Sequence, residues 1–407
     1  RNIKIDGSYT PAGIKGLASI NDPNMRVNVD GDYAFASKKY DVNAHIKHLQ
    51  PSILGVKMSD RTYCLDDINI NTNNKGSDSY LDIDAPFVNL HTRGQYDLGT
   101  LYSSIQNIVA DKLPTLPGIK KTKKRGDNDF TLQGNVYSTE ILQRVFGIQL
   151  DISSPIHING NLSEQNEELN LFVNAPLFSY NGKPFHNGNI EVTTQGKELC
   201  MDAHVCQGLS FEMAPEYALR AKACDNVLNT KVNYDNHSKK LPVKGFLDAE
   251  TQFGKTNINM NVKPSHIMLG DTRWDVISSN INYVKNHLSV DNFTVKHDNQ
   301  HIIVNGKASP SPEDSIVADL KDVDVAYILN LVNFHSVDFA GKATGKAIVK
   351  SLFNQPDAYA KLDINDFLFE NGPLGVLHAF VNYNKVDEQI DIKAVADEDK
   401  GNQTIID

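Results

Sequence analysis

The 407-residue chain contains no run of about 20 consecutive apolar residues, so none of its segments has the composition of a membrane-spanning helix. Positive charge is also scarce: 40 Lys and Arg residues stand against 50 Asp and Glu residues, which gives a formal net charge of −10. Binding to the phosphates of a nucleic acid requires concentrated Lys and Arg side chains. The composition therefore argues against a nucleic-acid partner.

Only four cysteines occur, and none of them forms a Cys-x-x-Cys motif. Cys200 and Cys206 are six residues apart, which is roughly 20 Å along one extended strand and too far for a disulfide. Cys224 pairs with either of them or with neither. His204 lies between the first two, but its neighbours at strand spacing do not make a zinc ligand set. We therefore predict no metal and no cofactor.

Motifs of common catalytic sites are missing as well. The chain has no GxSxG nucleophile elbow, no P-loop, no HExxH and no GxGxxG. Its acidic residues and its 13 histidines are spread singly, so no pair of carboxylates stands out as a general acid and base. We predict that the protein is not an enzyme.

What the chain has in abundance is alternation of apolar and polar residues. Segments such as Leu81–Phe87 and Leu169–Val173 place apolar side chains on one face of a strand and polar ones on the other. One wet face and one apolar face are typical of antiparallel strands. Strand-sized runs recur about every 10 to 15 residues, which predicts about two dozen strands. The predicted fold class is all-β, a long and mostly antiparallel sheet.

A pattern of the form apolar-x-apolar-x-Gly recurs seven times, first at Ile3–Tyr9 and at Val27–Tyr33. The spacing puts the glycine on the apolar face of the strand, where it permits a sharp bend or the close approach of another backbone. We expect the sheet to curl lengthwise into a half-pipe with an apolar groove. The predicted groove-bend glycines are Gly7, Gly31, Gly94, Gly134, Gly160, Gly245 and Gly306.

The apolar residues of these strands are the candidates for the groove lining. They share strand parity with one another and alternate with polar residues. The predicted lining consists of Ile3, Ile5, Val27, Val29, Leu81, Ile83, Leu150, Ile152, Leu171, Val173, Ile258, Met260, Ile302, Val304, Leu362, Ile364, Leu377 and Val381.

Helical periodicity occurs in three short amphipathic stretches: Asp97–Lys112, Thr139–Phe146 and Val323–Val332. In the first, Asp97 is the predicted N-cap and Pro114 follows the predicted end. We interpret these helices as caps on the apolar side of the sheet.

No linker or low-complexity tract divides residues 1–407, so we expect one continuous elongated segment. The single change of composition is the basic run Lys120–Arg125 after Pro117-Gly118, which makes residues 112–128 the place for a soft break. This run is interpreted as a solvated loop, with contact to anionic head groups as the alternative. Because the first residue is Arg1 and the strand pattern reaches both ends, we expect a piece of a longer protein whose anchor lies outside it.

The stretch Asp271–Ser309 resembles the TamB family, which belongs to the AsmA-like proteins of Gram-negative envelopes. The resemblance is carried by the strand around Trp274, by Asp291-Asn292-Phe293 with the following turn, and by Val304-Asn305-Gly306. Leu362–Tyr383 adds Asn365-Asp366-Phe367 and the Asn371–Gly375 turn. Gly94–Pro114, a strand followed by a short helix, is also similar to this family. The chain is thus identified as an internal fragment of such a protein.

The resemblance implies a long sheet curled into an open, apolar-lined half-pipe, called a β-taco. It implies a periplasmic location, an anchor in the inner membrane and a barrel partner in the outer membrane, both outside this fragment. It also implies phospholipid as the partner of the groove. The expected function is therefore a non-enzymatic conduit that carries phospholipid acyl chains across the periplasm to the outer membrane.

Two other functions stay open at the level of the sequence. Exposed strand edges would make the chain a scaffold that assembles outer-membrane proteins by β-augmentation. Alternatively, the apolar faces close into ordinary β-sandwiches, as in an extracellular adhesin or a carbohydrate-binding array. A sandwich would seal its apolar interior along its length, whereas a conduit would leave it open.

Overall fold

The computed structural model describes residues 2–58, 60–210, 214–240, 242–327, 339–354, 356–384, 389–397 and 403–406. Strands hold 66% of the chain and helices 9%, so the predicted all-β, antiparallel class is confirmed. The chain forms two compact units, Arg1–Asp225 and Asn226–Asp407. Residues 112–128, where a soft break was expected, lie inside the first unit.

The first unit is a meander in which strands that follow one another in the chain pair antiparallel. Its strands are β1 Asn2–Thr10, β2 Gly13–Asp22, β3 Met25–Ala34, β4 Tyr40–Leu49, β5 Leu65–Asn73, β6 Tyr80–Ala85, β7 Val88–Gln95, β8 Asp129–Val136, β9 Leu150–Ile152, β10 Ile156–Ser163, β11 Glu168–Tyr180, β12 Lys183–Gln195, β13 Glu198–Gln207 and β14 Glu216–Cys224. The exception is β9, because β8 pairs with β10 and both β9 and β10 pair with β11.

The second unit continues the same scheme of antiparallel neighbours. Its strands are β15 Val227–Asp235, β16 Val243–Phe253, β17 Asn257–Leu269, β18 Thr272–Ile277, β19 Ser279–Val284, β20 His287–His297, β21 Gln300–Ala308, β22 Ser315–Asp324, β23 Phe339–Lys350, β24 Asp357–Phe369, β25 Gly372–Asn384, β26 Gln389–Asp397 and β27 Gln403–Ile406. The short strands β18 and β19 lie end to end between β17 and β20, and each pairs with both.

Two predicted helices are present, α1 at Leu98–Lys112 and α2 at Glu140–Phe146. The side chain of Asp97 caps α1 by accepting a hydrogen bond from the Gly99 backbone N–H at 2.8 Å. The third predicted helix, Val323–Val332, is described only in part. Val323 and Asp324 belong to β22, residues 325–327 are helical, and the rest lies outside the described residues. Short 3₁₀ turns occur at Pro51–Leu54 and Gly76–Asp78.

Three strands of the second unit contain the same kind of β-bulge. The register shifts at Asn292, Asp322 and Asp366, and each of these residues has a positive φ of 48°, 52° and 51°. Asn and Asp tolerate this conformation better than other residues with a Cβ. The extra residue returns the next apolar side chain to the face it would otherwise leave.

The bulge at Asp366 has a direct effect on packing. Strict alternation would place Ile364 and Phe367 on opposite faces of β24, yet Phe367 is 1% exposed and lies in one cluster with Ile364. That cluster draws on β23 to β26 and is completed by Val325, with Phe339 and Leu374 packed against it. It is a closed core on the apolar face of the second unit.

We expect Asp366→Val to destabilise the protein by about 1–2 kcal/mol, because a β-branched residue is strained at positive φ. Asp366→Gly removes the same exposed carboxylate without that strain, so it should leave stability unchanged or raise it. Urea unfolding monitored by circular dichroism measures both. Equal midpoints for the Val and Gly variants would show that residue 366 does not hold this conformation in solution.

Candidate functional site

A single row of apolar residues crosses the sheet of the first unit from β1 to β14. Each residue is the register partner of the next, so all of them lie on the same face. We call this set the central row: Ile5, Ala18, Val29, Ala44, Ile70, Ile83, Leu90, Gly134, Ile158, Val173, Ile190, Ala203 and Leu219. At about 4.8 Å per strand, its twelve steps span roughly 58 Å.

Two further rows of the same face lie beside the central row. One joins Ile3, Ile20, Val27, Ile46 and Ile68 across β1 to β5. The other, which we call the glycine row, contains Gly7, Gly16, Gly31, Val42, Thr72, Leu81, Thr92, Leu132, Gly160, Leu171, Val192, Met201 and Ala221. Together these three rows form the apolar face of the first unit.

Nearly all members of the central row keep some exposure to solvent. Gly134 is its one buried member; Ile5 is 79% exposed, Ile190 is 40% exposed, and the other ten are half-buried. In a sealed sandwich, apolar residues at the middle of a sheet are buried against the facing sheet. Here every member except Gly134 keeps some exposure, which differs from the buried centre of a sealed sandwich.

The predicted lining residues of the first unit fall on this face, except for the two that belong to β9. Ile5, Val29, Ile83 and Val173 belong to the central row, while Ile3, Val27, Leu81 and Leu171 belong to the two rows beside it. Leu150 and Ile152 lie in β9, whose register partners are Tyr180 and Phe178 at the end of β11, and they are outside these rows.

Sequence reasoning missed several members of the central row. Ile70, Leu90, Ile158, Ile190 and Leu219 carry the same alternating signal as the residues that were selected. Alternation within the sequence identifies the lining strands. It does not reveal the register between strands, which decides which residues form one row.

The seven groove-bend glycines share a geometric property. A Cβ added at any of them would lie less than 3.0 Å from a backbone carbonyl oxygen of the adjacent strand. At Gly245 that carbonyl belongs to His266, and at Gly306 it belongs to Ser315. Because a carbonyl in a paired strand cannot move away without breaking the pairing, the absence of a side chain is required at these positions.

In the second unit the apolar face is open in some strands and closed in others. Ile258, Met260, Ile302, Val304, Leu362 and Val381 are half-buried. Ile364 and Leu377, by contrast, are each 6% exposed and belong to the closed core described above. These two predicted lining residues therefore contact other side chains of the unit and not an open surface.

Helix α1 is held near one end of the first unit by polar side chains. Ser104 Oγ donates to Glu164 Oε2 at 2.8 Å and accepts from Asn128 Nδ2 at 2.9 Å. The helix also contacts β11 and β13, and its Ile108 is 2% exposed. Its opposite side leaves Leu98 and Tyr102 exposed.

The basic run Lys120–Arg125 follows α1 in the opposite direction. Thr122 N donates to Asn107 Oδ1 at 2.7 Å, and Lys124 Nζ donates to the Gly99 carbonyl at 2.6 Å. The five basic side chains are exposed, and Lys121 also forms an ion pair with Asp111. The run is thus a solvent-exposed loop that is fixed along the helix.

The four cysteines are free thiols. Burial raises the pKa of the Cys200 and Cys206 thiols, which keeps them protonated and unreactive at neutral pH. His204 is held by Glu216 at 3.0 Å and by the Asn187 carbonyl at 3.1 Å. Across the described ranges, no group of three or more His, Cys, Asp or Glu side chains has the geometry to hold a metal ion. In the same ranges, no helix has the length and apolar character needed to cross a bilayer.

Comparison of the chain with family models, with curated proteins and with solved structures found no match. The TamB resemblance therefore stays a prediction. The residues that carry it have clear structural roles: Trp274 is 3% exposed, and both Asn292 and Asp366 are bulge residues. Asn292-Phe293 and Asp366-Phe367 thus have the same local structure, a β-bulge residue followed by a phenylalanine.

We expect Gly160→Ala to cost about 1–3 kcal/mol of stability, because its Cβ would press against the Asn170 carbonyl in the paired strand β11. The control is Gly99→Ala, where the nearest atom is a side-chain oxygen of Asp97 at 3.2 Å and alanine favours the helix. Denaturant unfolding compares the two variants. A Gly160→Ala protein as stable as wild type would contradict the close approach of β10 and β11.

Proposed function

We propose that this chain is a non-enzymatic conduit for phospholipid acyl chains. The observation that carries the proposal is the central row, which presents apolar residues across thirteen neighbouring strands of the sheet and leaves all of them except Gly134 at least partly exposed. Contiguous exposed apolar surface on a protein marks a binding site, since it is unfavourable in water. Its continuity from strand to strand suits a long flexible ligand better than a compact one.

The energetics favour an acyl chain as that ligand. Moving one methylene from an apolar environment into water costs about 0.8 kcal/mol, so a chain of about sixteen carbons meets a barrier of roughly 13 kcal/mol. A continuous apolar face removes most of this cost without any catalytic group. The side chains that lie opposite one another in the central row are aliphatic or small, so recognition would be loose and would not depend on a particular head group.

The polar face gives the conduit its solubility. At least one polar side chain, most often Asp, Asn or His, flanks the central row on every strand; Asp30, Asn43, Asn71, Asp82 and His91 are register partners in sequence. An antiparallel sheet can carry one solvated face of this kind, which leaves the opposite face for the acyl chains.

The setting of the conduit follows from the TamB resemblance. We propose a periplasmic location, an inner-membrane anchor and an outer-membrane barrel partner, both contributed by parts of a longer protein. The scaffold function is the alternative outcome of the test below, since a nascent outer-membrane strand would leave polypeptide adducts in place of lipid.

The test uses two adjacent residues of β3 that face opposite ways. Val29 belongs to the central row and is half-buried, whereas Asn28 is exposed on the polar face. A photoreactive amino acid at each position, in protein expressed in a Gram-negative periplasm, should give phospholipid adducts at 29 and few at 28. Polypeptide adducts at 29, or equal lipid labelling at both positions, would count against the conduit.

A second measurement tests the apolar character of the row. Val29→Asp should lower the phospholipid extracted with the purified chain by at least about fivefold, which corresponds to ~1 kcal/mol for one charge beside an acyl chain. Asn28→Asp introduces the same carboxylate on the polar face and should leave the lipid content unchanged. Circular dichroism verifies that both variants are folded. Wild-type protein without lipid, or a folded Val29→Asp variant with full lipid, would overturn the proposal.

A further inference from the structure

The polar face of the first unit carries a depression of about 540 Å³ that crosses β10 to β14. In each strand it is lined by three consecutive residues, and the middle one belongs to the central row. Residues two positions from the middle one, which share the apolar face, do not line it. The depression therefore lies on the opposite, polar face, between two rows of polar-face side chains.

One of these two rows is a ladder of amides and imidazoles. His157, Asn174, Asn189 and His204 are successive register partners. Asn174 Nδ2 donates to Asn189 Oδ1 at 2.6 Å, which fixes the planes of these two amides. This bond, together with those of His204 to Glu216 and to the Asn187 carbonyl and that of Asn189 Nδ2 to the same carbonyl, fixes the ladder as a polar wall whose rungs are about 4.8 Å apart.

The other row contains one apolar residue, Phe172, among polar ones. Asn159, Phe172, Glu191, Asp202 and Arg220 are successive register partners, and Phe172 is 42% exposed among them. Within the described residues its ring contacts no other aromatic ring. The ring therefore offers a flat apolar surface within a polar lining, which is the arrangement that a ligand with both apolar and polar groups requires.

Phe172 also joins this depression to a second one. A depression of about 670 Å³ crosses β7, β8, β10 and β11, and it is lined by Arg93, Gln95, Thr131 and Gln133 among others. Asn159 and Phe172 line both depressions. The two form one elongated cleft, which we call the amide cleft, with the phenylalanine near its middle.

The charges in the amide cleft select the class of ligand. Both arginines are already paired, Arg220 with Asp202 at 2.9 Å and Arg93 with Asp82. Glu191, Asp127, Asp129 and Glu168 remain as carboxylates in the lining. Polyanions such as nucleic acid would be repelled, since no positive charge in the cleft is left to meet them.

We infer that the amide cleft binds a neutral oligosaccharide. A pyranose ring offers an apolar C–H face for the exposed Phe172 ring and hydroxyl groups for the amides and carboxylates on either side. The strand spacing is close to the rise of one sugar ring in an extended 1,4-linked chain. Successive sugar rings would therefore lie beside successive residues of the ladder. This site lies on the face opposite the proposed lipid conduit, and it stands or falls independently of that proposal.

Titration of the purified chain with cellohexaose, chitohexaose and maltohexaose, followed by isothermal calorimetry and ligand-observed NMR, tests the inference. At least one of them should bind with a Kd of ~1 mM or tighter. Phe172→Ala should weaken that binding roughly tenfold through loss of the stacking surface, and Phe172→Tyr should retain it. Phe146→Ala is the matched control, because Phe146 is 67% exposed on α2 outside the cleft.

The inference is overturned if none of the three sugars binds at millimolar concentration, or if Phe172→Ala binds as well as wild type. Hexalysine serves as the competing probe for the carboxylates of the cleft. Saturable binding of hexalysine that Phe172→Ala leaves intact, without binding of any sugar, would assign the cleft to cationic peptides and would also overturn the inference.

Discussion

In-register antiparallel pairing is the constraint on which the rest of this structure depends. Register partners lie on the same face of a sheet, so the alternation within one strand extends to its neighbour only if the register keeps the same parity. Across the first unit it does so through every strand from β1 to β14, apart from β9. Two surfaces of opposite character follow directly, and a shift of one residue in any single strand would mix them.

Much of this could be read from the sequence. Alternation at Leu81–Phe87 or Leu169–Val173 predicts strands, and the Asp97 cap with Pro114 locates α1 to within a residue. The glycines on the apolar face were predicted to permit a groove bend or a close backbone approach, and a backbone carbonyl of the adjacent strand lies beside Gly160 and Gly245. These features are local, because each depends on a few adjacent residues.

What the sequence did not reveal depends on long-range contacts. Asp366 adopts a positive φ, and the resulting bulge brings Phe367 to the same face as Ile364, against simple alternation. The closed core around Ile364 and Leu377 likewise depends on Val325, just after β22, and on Phe339 at the start of β23, residues that no pattern within β24 or β25 identifies. The amide cleft was missed for the same reason, since Phe172 becomes unusual only when its polar register partners are known.

The meander also has a consequence for how the chain reaches its native state. Because almost every strand pairs with the strand next to it in sequence, most hairpins close a short loop, and the entropy lost in closing each of them is small. Each strand can pair with the preceding strand once that strand is folded, as in repeat proteins whose units contact only their neighbours. The polypeptide can therefore acquire structure from one end while the remainder is still being synthesised.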